Sequence, residues 1–200
     1  MSKPIDFYFD FTSPYGYLAA AKIGALASKY GRGVNWYPIL LGVVFKATGS
    51  PIVATMPLKG EYIAHDALRS ARYLDLPFRI PSKFPVASQA PARIACWVRN
   101  TEPAKMEAAV LAMYRAYFVD NEDISTPEIA AKAVSRAGID EVAALAASND
   151  SHIKDQFKNE VQAALERKVF GSPYVFIDDE PFWGVDRLDQ MERWLRLGGF

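Results

Sequence analysis

The stretch Asp10-Phe11-Thr12-Ser13-Pro14-Tyr15-Gly16-Tyr17 lies between a predicted strand and a predicted helix. The residues before it, Ile5-Asp6-Phe7-Tyr8-Phe9, alternate and are rich in aromatic side chains, which is typical of a β-strand. The residues after it, Leu18–Leu26, are mostly strong helix formers. Ser13 suits the N-cap of this helix and Pro14 suits its first position.

The Ser13 hydroxyl therefore lies on a strand-to-helix turn, beside backbone N–H groups that the helix leaves without partners. The positive end of the helix dipole is at the same place. Two interpretations stay open from this stretch alone. The hydroxyl could help to hold a thiolate, or it could only cap the helix.

Composition sets limits on the class of protein. The chain has 200 residues, 50% of them hydrophobic, which fits one large domain or one domain that carries an insertion. The 23 Lys and Arg residues balance the 23 Asp and Glu residues. Because no basic stripe is visible, we expect neither nucleic acid nor an anionic membrane as a partner.

Cysteine and histidine are scarce. Cys96 is the only cysteine, which excludes an intramolecular disulfide and a CxxC pair, and its helical context favours a small buried side chain. His65 and His152 form no metal-ligand pattern, so we expect no metal site. The N-terminus leads directly into a strand without an apolar signal segment, and we expect a cytoplasmic protein.

The order of predicted elements indicates an α/β fold. A second strand at Val34–Ile39 completes a strand–helix–strand unit, whose strands should be parallel. From residue 59 to residue 168 we find helix signals and almost no strand signals. Strands return at Pro173–Ile177 and at Pro181–Gly184, followed by a last helix. We therefore predict a βαββα core made of residues 1–58 and 169–200, with an all-helical insertion at 59–168.

This order, with Ser172-Pro173 at the start of the third strand, resembles the thioredoxin fold. In that fold a cis-proline begins this strand and faces the active turn. Ser13-Pro14-Tyr15-Gly16 occupies the place where redox members carry CxxC. Because serine replaces the attacking cysteine, we expect no disulfide exchange.

Further blocks make the resemblance more specific. They run through the whole chain in the expected order: Asp6–Tyr15, Phe45–Gly49, Lys59-Gly60, Leu76-Pro77-Phe78, Phe84-Pro85-Val86, Arg167–Pro173 and Phe182–Leu188. Together they are similar to the 2-hydroxychromene-2-carboxylate isomerase family, which has a DsbA-like fold and is related to kappa-class glutathione transferases. The resemblance implies glutathione as cofactor, an isomerisation in aromatic catabolism, an aromatic keto-acid substrate, and usually a homodimer.

The resemblance also assigns residues to roles. It implies Ser13 as the catalytic residue that activates the thiol. The implied glutathione-binding residues are Ser13, Ser172, Pro173, Trp183, Gly184, Val185, Asp186 and Lys59. The implied residues for the aromatic substrate are Phe45, Lys46 and Ser50.

The residues themselves leave alternatives to several of these roles. Pro173 could merely begin an edge strand. Asp186 could accept from the glutathione amino group, or cap the last helix, or do both. Trp183 suits hairpin packing as well as ligand contact, and Lys46 and Lys59 suit a solvated surface.

Two positions depart from the family pattern, since Ser50 and Ala87 stand where the family usually has asparagine. Both border the site for the second substrate, so glutathione is easier to assign than that substrate. Two other functions remain open. One is a kappa-like transferase that consumes glutathione, and the other is a non-catalytic DsbA-like binding protein.

Overall fold

The computed structural model describes residues 3–200, so the first two residues of the predicted thioredoxin-like segment lie outside it. Strands β1 (Ile5–Phe9), β2 (Val34–Pro38), β3 (Tyr174–Ile177) and β4 (Glu180–Trp183) form a mixed sheet in the order β2-β1-β3-β4. β1 and β2 are parallel, as predicted, whereas β3 is antiparallel to both β1 and β4.

Helices surround this sheet in the predicted order. The α-helices are α1 (Pro14–Lys29), α2 (Leu41–Thr48), α3 (Lys59–Tyr73), α4 (Gln89–Thr101), α5 (Met106–Phe118), α6 (Pro127–Ser135), α7 (Glu141–Asn149), α8 (Ser151–Glu166) and α9 (Leu188–Leu197). Short 3-10 turns lie at Val53–Thr55, Pro103–Lys105 and Val185–Arg187. Among residues 3–200 the segment between β2 and β3 contains helices and no strand, so the thioredoxin-like fold with a helical insertion is confirmed.

The two faces of the sheet have separate cores because side chains alternate along each strand. On one face Phe7, Phe9 and Val175 join the main core, which also contains residues of α1, α4 and α5. On the other face Tyr8 and Phe176 pack with residues of α2 and α8. Since the main core continues from the sheet into the insertion, the division into two domains stays a prediction.

The insertion reaches the active turn through one aromatic side chain of α5. Tyr114 is fully buried, and its ring lies 5.0 Å from the ring of Phe11 and 6.1 Å from that of Phe9, centroid to centroid. Aromatic pairs at such separations stabilise by about 0.5–1.5 kcal/mol beyond the area they bury. The helical segment therefore packs directly under the loop that follows β1.

Candidate active site

Ser13 is the N-cap of α1, as the sequence predicts. Its backbone is extended (φ −85°, ψ 116°), its hydroxyl accepts from the Gly16 N–H at 3.0 Å, and Pro14 is the first helical residue. The side chain is only 4% exposed. The same hydroxyl donates its single proton to the backbone carbonyl of Ser172 at 2.9 Å. Ser13 therefore joins the active turn to the loop before β3 in addition to capping the helix.

The first turn of α1 keeps one backbone donor available. Pro14 has no N–H, and the N–H groups of Gly16 and Tyr17 bond to the side chain and the carbonyl of Ser13. The Tyr15 N–H makes no hydrogen bond to any residue from 3 to 200. Since Tyr15 also lines the cleft described below, this N–H and the Ser13 hydroxyl are neighbouring polar groups beside it.

Ser172 and Pro173 lie against the active turn, and the peptide bond between them is cis. The Ser172 carbonyl accepts from Ser13, and its hydroxyl accepts from the Asp10 N–H at 2.9 Å. The carbonyl of Pro173 accepts from the Gly184 N–H at 3.1 Å. The predicted proximity of Ser13, Ser172 and the segment after β4 is therefore present in the structure.

Asp10 connects four parts of the site. Its backbone carbonyl accepts from the Ser13 N–H and the Tyr114 hydroxyl, both at 2.9 Å. Its carboxylate accepts from the N–H groups of Thr12 at 2.8 Å and Leu41 at 2.6 Å. Leu41 begins α2, whose own N-cap side chain makes no capping bond, so Asp10 supplies that cap from a distance.

The Asp10 carboxyl is nearly inaccessible, at 1% exposure. Burial raises the pKa of this carboxyl, while the hydrogen bonds from Leu41 and Thr12 oppose that rise by stabilising the charged form. Both donors are backbone amides, which can only donate, so the ionised carboxylate is the form that satisfies them.

Gly16 is the position at which redox relatives of this fold would carry a second cysteine, and here there is no room for a side chain. A Cβ atom at Gly16 would lie 2.6 Å from the Tyr114 hydroxyl, 2.9 Å from the Ser172 hydroxyl and 3.1 Å from the Ser13 Cβ. Contacts below 3 Å require atoms to move. Glycine is therefore needed here for close packing and not for an unusual backbone angle.

An open cleft of about 200 Å³ lies beside Ser13. Its wall residues are uncharged and mostly apolar: Thr12, Ser13, Pro14, Tyr15, Leu41, Phe45, Ile52, Val53, Ala54, Ile63, Phe84, Pro85, Phe170, Gly171, Ser172 and Trp183. The cleft thus combines an apolar surface with the few polar groups of the Ser13 turn, as small-molecule sites commonly do.

Trp183 and Phe170 form one rim of this cleft. Their rings meet edge to face with centroids 4.9 Å apart, and Trp183 is 55% exposed. Trp183 is thus available for ligand contact, although its ring also packs against Phe170. Gly171 lies so close to the indole that a Cβ atom there would overlap it.

The residues after β4 pass from the cleft toward α9. Gly184 has φ 107°, a value that favours glycine, and Val185 is buried, so these two residues present only backbone to a ligand. The Asp186 side chain is 70% exposed and lies 3.4 Å from Arg187. The N-cap of α9 is Arg187, without a side-chain capping bond, so the alternative role of Asp186 as the cap is wrong.

Among the remaining residues predicted to bind a ligand, some line the cleft and others lie outside its wall. Phe45 lines the cleft, whereas Lys46, on the same helix, is exposed and does not. Ser50 is exposed, and its hydroxyl accepts from the Thr48 hydroxyl at 3.0 Å. Lys59 begins α3 and is also exposed outside the cleft wall. The two lysines therefore offer cations near the cleft only if their long side chains reach toward a ligand.

The sequence did not predict the hydrogen-bond partner of the Tyr15 hydroxyl. The Tyr15 hydroxyl donates to the Asp66 carboxylate on α3 at 2.6 Å, and Asp66 pairs with Arg69. Burial, followed by the bond to Asp66, raises the pKa of Tyr15. The sequence carries no signal for this contact, because a strand and another helix separate the two helices along the chain.

The single cysteine of the chain lies outside the Ser13 cleft. Cys96 is buried in α4, and burial raises the pKa of its thiol, so it is a structural residue as expected. Between residues 3 and 200 we find no cluster of side chains suited to hold a metal ion. No helix in that range is long and apolar enough to cross a membrane.

Comparison with known proteins gives the class first. Residues 4–196 match the model of the DSBA-like thioredoxin domain. A solved structure of 2-hydroxychromene-2-carboxylate isomerase superposes with a TM-score of 0.86 at 29% identity, over 96% of this chain and 94% of that one. The chain is therefore a DsbA-like thioredoxin-fold protein.

Two relatives narrow this assignment. The chain is 32% identical to 2-hydroxychromene-2-carboxylate isomerase of Sphingobium xenophagum over 98% of its own length and 99% of the relative's. It is 25% identical to glutathione S-transferase kappa 2 of Caenorhabditis elegans, over 96% and 92% of the two chains. Within the DsbA-like class, this chain belongs to the 2-hydroxychromene-2-carboxylate isomerase family.

Proposed function

We propose that this protein is an enzyme, a glutathione-dependent isomerase of 2-hydroxychromene-2-carboxylate-type hemiketals and trans-o-hydroxybenzylidenepyruvate-type compounds. The observation that carries the proposal is the Ser13 turn, at the edge of an apolar cleft. There a buried hydroxyl accompanies the Tyr15 N–H, which has no partner among residues 3–200. Family membership supports the reaction, and the kappa-class relative supports the cofactor.

The chemistry requires a thiolate. A glutathione thiol has a pKa of about 8.5, so only a few per cent is ionised at neutral pH. One hydrogen bond from Ser13, one from the Tyr15 N–H and the helix dipole would all stabilise the charged sulfur. A lowering of the thiol pKa by about one unit corresponds to about 1.4 kcal/mol.

Ser13 has one hydroxyl proton, which it donates to the backbone carbonyl of Ser172. To donate to a sulfur, the hydroxyl rotates and leaves the Ser172 carbonyl. That carbonyl then becomes available to an amide N–H of glutathione, which pairs with the backbone of Ser172 like an added strand. Thiol activation and recognition of the glutathione backbone are thereby linked through one proton.

The rest of glutathione extends over the surface formed after β4. Asp186 is 70% exposed and is not the N-cap of α9. Its carboxylate, which lies 3.4 Å from the exposed Arg187 guanidinium, would also accept from the ligand's amino group. Trp183, Gly184, Val185 and Pro173 provide the adjoining wall, and Lys59 offers a cation to a ligand carboxylate.

The reaction is redox-neutral and regenerates the thiol. The thiolate adds to the conjugated double bond of the ring-opened substrate, and the electron pair moves to the ketone oxygen as an enolate. Rotation about the new single bond follows, and the enolate then expels the thiolate and restores the double bond. In the cis isomer the phenol oxygen adds to the ketone carbon and its proton passes to the ketone oxygen, which closes the hemiketal ring. Ring opening is the reverse of this step.

Lys46 would hold the substrate carboxylate and stabilise the enolate. Phe45, which lines the cleft, would border the ring, and the exposed Ser50 would approach it from outside the cleft wall.

A kappa-like transferase is the second candidate, because its members are also relatives of this chain. The same thiolate would then attack an electrophile and stay attached to it. The amount of glutathione left after many turnovers distinguishes the two. An isomerase leaves its concentration unchanged, whereas a transferase removes one molecule per product.

The direct experiment follows ultraviolet absorbance of trans-o-hydroxybenzylidenepyruvate with and without reduced glutathione, and assays the thiol afterwards. We expect interconversion that requires glutathione and does not consume it. Interconversion at the same rate without glutathione would contradict the proposal. We also propose that the protein is cytoplasmic, since reduced glutathione is plentiful there. In addition we propose a homodimer, and analytical ultracentrifugation would measure its mass.

A further inference from the structure

Helix α2 forms part of the cleft wall, but few of its side chains attach it to the rest of the protein. Of its eight residues only Leu41 and Val44 are buried, while Phe45 is partly buried and lines the cleft. Its N-cap residue, Leu40, has no polar side chain with which to cap the helix. The orientation of α2 therefore depends on the group that satisfies the N–H groups of its first turn.

The Asp10 carboxylate is that group. It accepts from the Leu41 N–H at 2.6 Å, and no other side chain from residue 3 to residue 200 accepts from the first turn of α2. Its other oxygen accepts from the Thr12 N–H at 2.8 Å, next to Ser13. Asp10 is 1% exposed, and the Ser88 hydroxyl donates to it as well. A buried charge with three donors holds α2 firmly relative to the Ser13 turn.

The backbone of Asp10 has a separate set of partners. Its carbonyl accepts from the Ser13 N–H and the Tyr114 hydroxyl, and its N–H donates to the Ser172 hydroxyl. Loss of the carboxylate would therefore leave the bonds that hold the Ser13 turn, whereas it would release α2. The two consequences can be measured independently.

The bond to Asp10 lies close to the side chains that α2 provides for the second substrate. Phe45 follows Leu41 by four residues, so the two share one face of the helix and lie one turn apart. Lys46 comes directly after Phe45. A tilt of α2 at its first turn would move both side chains relative to Ser13, and a displacement of about 1 Å can cost about 10²-fold in rate.

We propose that Asp10 is a positioning residue for the second substrate: its carboxylate holds α2, and with it Phe45 and Lys46, at a fixed distance from the thiol that Ser13 activates. Asp10 acts through α2 and touches neither glutathione nor the substrate. The inference rests on the proposed function for the roles of Phe45 and Lys46. It deepens that function, because it assigns the spacing between thiol and substrate to one buried carboxylate.

Asp10→Asn tests this role, since the amide keeps only one accepting oxygen and turns N–H donors toward a backbone N–H. At saturating glutathione we expect the KM for trans-o-hydroxybenzylidenepyruvate to rise about ten-fold or more, because α2 loses its fixed position. The dissociation constant of glutathione, measured by calorimetry, should stay within about two-fold of the wild-type value, because the backbone of Asp10 still holds the Ser13 turn.

The control for a merely structural effect is Val134→Ala, which removes buried volume from α6 outside the cleft. It should lower the melting temperature and leave both constants unchanged. A variant that is only partly unfolded has a lower apparent kcat but the same KM, so the KM separates positioning from stability.

A second pair of variants breaks the same hydrogen bond from the side of α2 and decides the matter if Asp10→Asn does not fold. Leu41→Pro and Leu41→Ala both lose the leucine side chain, but only proline also lacks the N–H that donates to Asp10. Proline suits the first position of a helix, so α2 itself is kept. We expect a KM about ten-fold higher in Leu41→Pro than in Leu41→Ala.

Hydrogen exchange tests the tether without turnover. In Asp10→Asn the amides of α2 should exchange about ten-fold faster, while those of α1 keep their wild-type rates. If the wild type lacked glutathione-dependent turnover, the proposed function would be refuted, and this local change in exchange would still support the tether. An unchanged KM in folded Asp10→Asn, equal KM values in the two Leu41 variants, or wild-type exchange of α2 in Asp10→Asn would overturn the inference.

Discussion

The sequence predicts that Ser13 caps α1. The structure shows in addition which group accepts the proton of its hydroxyl. Ser-Pro at the end of an aromatic strand is a local signal, and the local geometry follows it. The bond to the Ser172 carbonyl joins residues 159 positions apart, and no local pattern encodes it. The sequence did not predict the role of Asp10 for the same reason, because its partners Leu41, Tyr114 and Ser172 lie 31, 104 and 162 positions away.

Replacing Ser13 separates the cap from the thiol donor. Ser13→Ala loses the cap and the buried bond to Ser172, and we expect it to lower the free energy of unfolding by about 1–2 kcal/mol. Ser13→Gly loses the same hydroxyl. Glycine is itself an acceptable N-cap, so the loss of the cap should lower the free energy of unfolding by only about a few tenths of a kcal/mol. Both variants should lose glutathione-dependent turnover by a factor on the order of 10². Chemical denaturation and initial rates measure the two effects.

If Ser13 served only as a cap, Ser13→Gly would keep nearly full turnover. That result would leave the Tyr15 N–H and the helix dipole as the groups that activate the thiol.

Asp186 gives a second test at this scale. Asp186→Asn should weaken glutathione binding about ten-fold, since it removes the charge opposite the ligand's amino group. Its side chain is 70% exposed, so unfolding should change by no more than about 0.5 kcal/mol. Asp189→Asn, the same charge change in the first turn of α9, is the control. Equal glutathione affinities by calorimetry in the two variants would remove Asp186 from the site.

At the scale of elements, the helices and strands follow the sequence closely, while their junctions do not. The sequence pattern from Pro103 to Phe118 predicts one continuous helix. In the structure a 3-10 turn occupies Pro103–Lys105, and α5 starts only at Met106. Periodicity reports which face of an element is buried, whereas capping and turn geometry depend on contacts from other parts of the chain.

The close packing of α1 against the loop before β3 can be tested at Gly16. Gly16→Ala should destabilise the protein by about 1–3 kcal/mol, because the new methyl group overlaps the Tyr114 and Ser172 hydroxyls. It should also reduce turnover by moving Ser13. Gly42→Ala in α2 is the control, since no atom lies within 4 Å of its Cβ position, and it should be neutral or stabilising by up to about 1 kcal/mol. Equal melting temperatures for the two variants would show that the turn is looser than described.

At the scale of the whole molecule, the order of elements and the resemblance of separate blocks predict the same fold, and the comparisons confirm the family. The sequence did not predict how the insertion meets the sheet. Tyr114 lies 104 residues from Asp10 and yet donates a hydrogen bond to its carbonyl. Such contacts follow from the packing of α5 beneath β1, which hydrophobic periodicity alone cannot orient.

A comparison of reduced glutathione with S-methylglutathione, which keeps the ligand's shape but has no thiol, tests whether the thiolate is catalytic. With trans-o-hydroxybenzylidenepyruvate as substrate, we expect turnover with glutathione, none with S-methylglutathione, and competition between the two. The thiol concentration should be the same before and after many turnovers. Equal turnover with S-methylglutathione, or loss of one glutathione per product, would contradict a catalytic thiolate that Ser13 holds and the reaction regenerates.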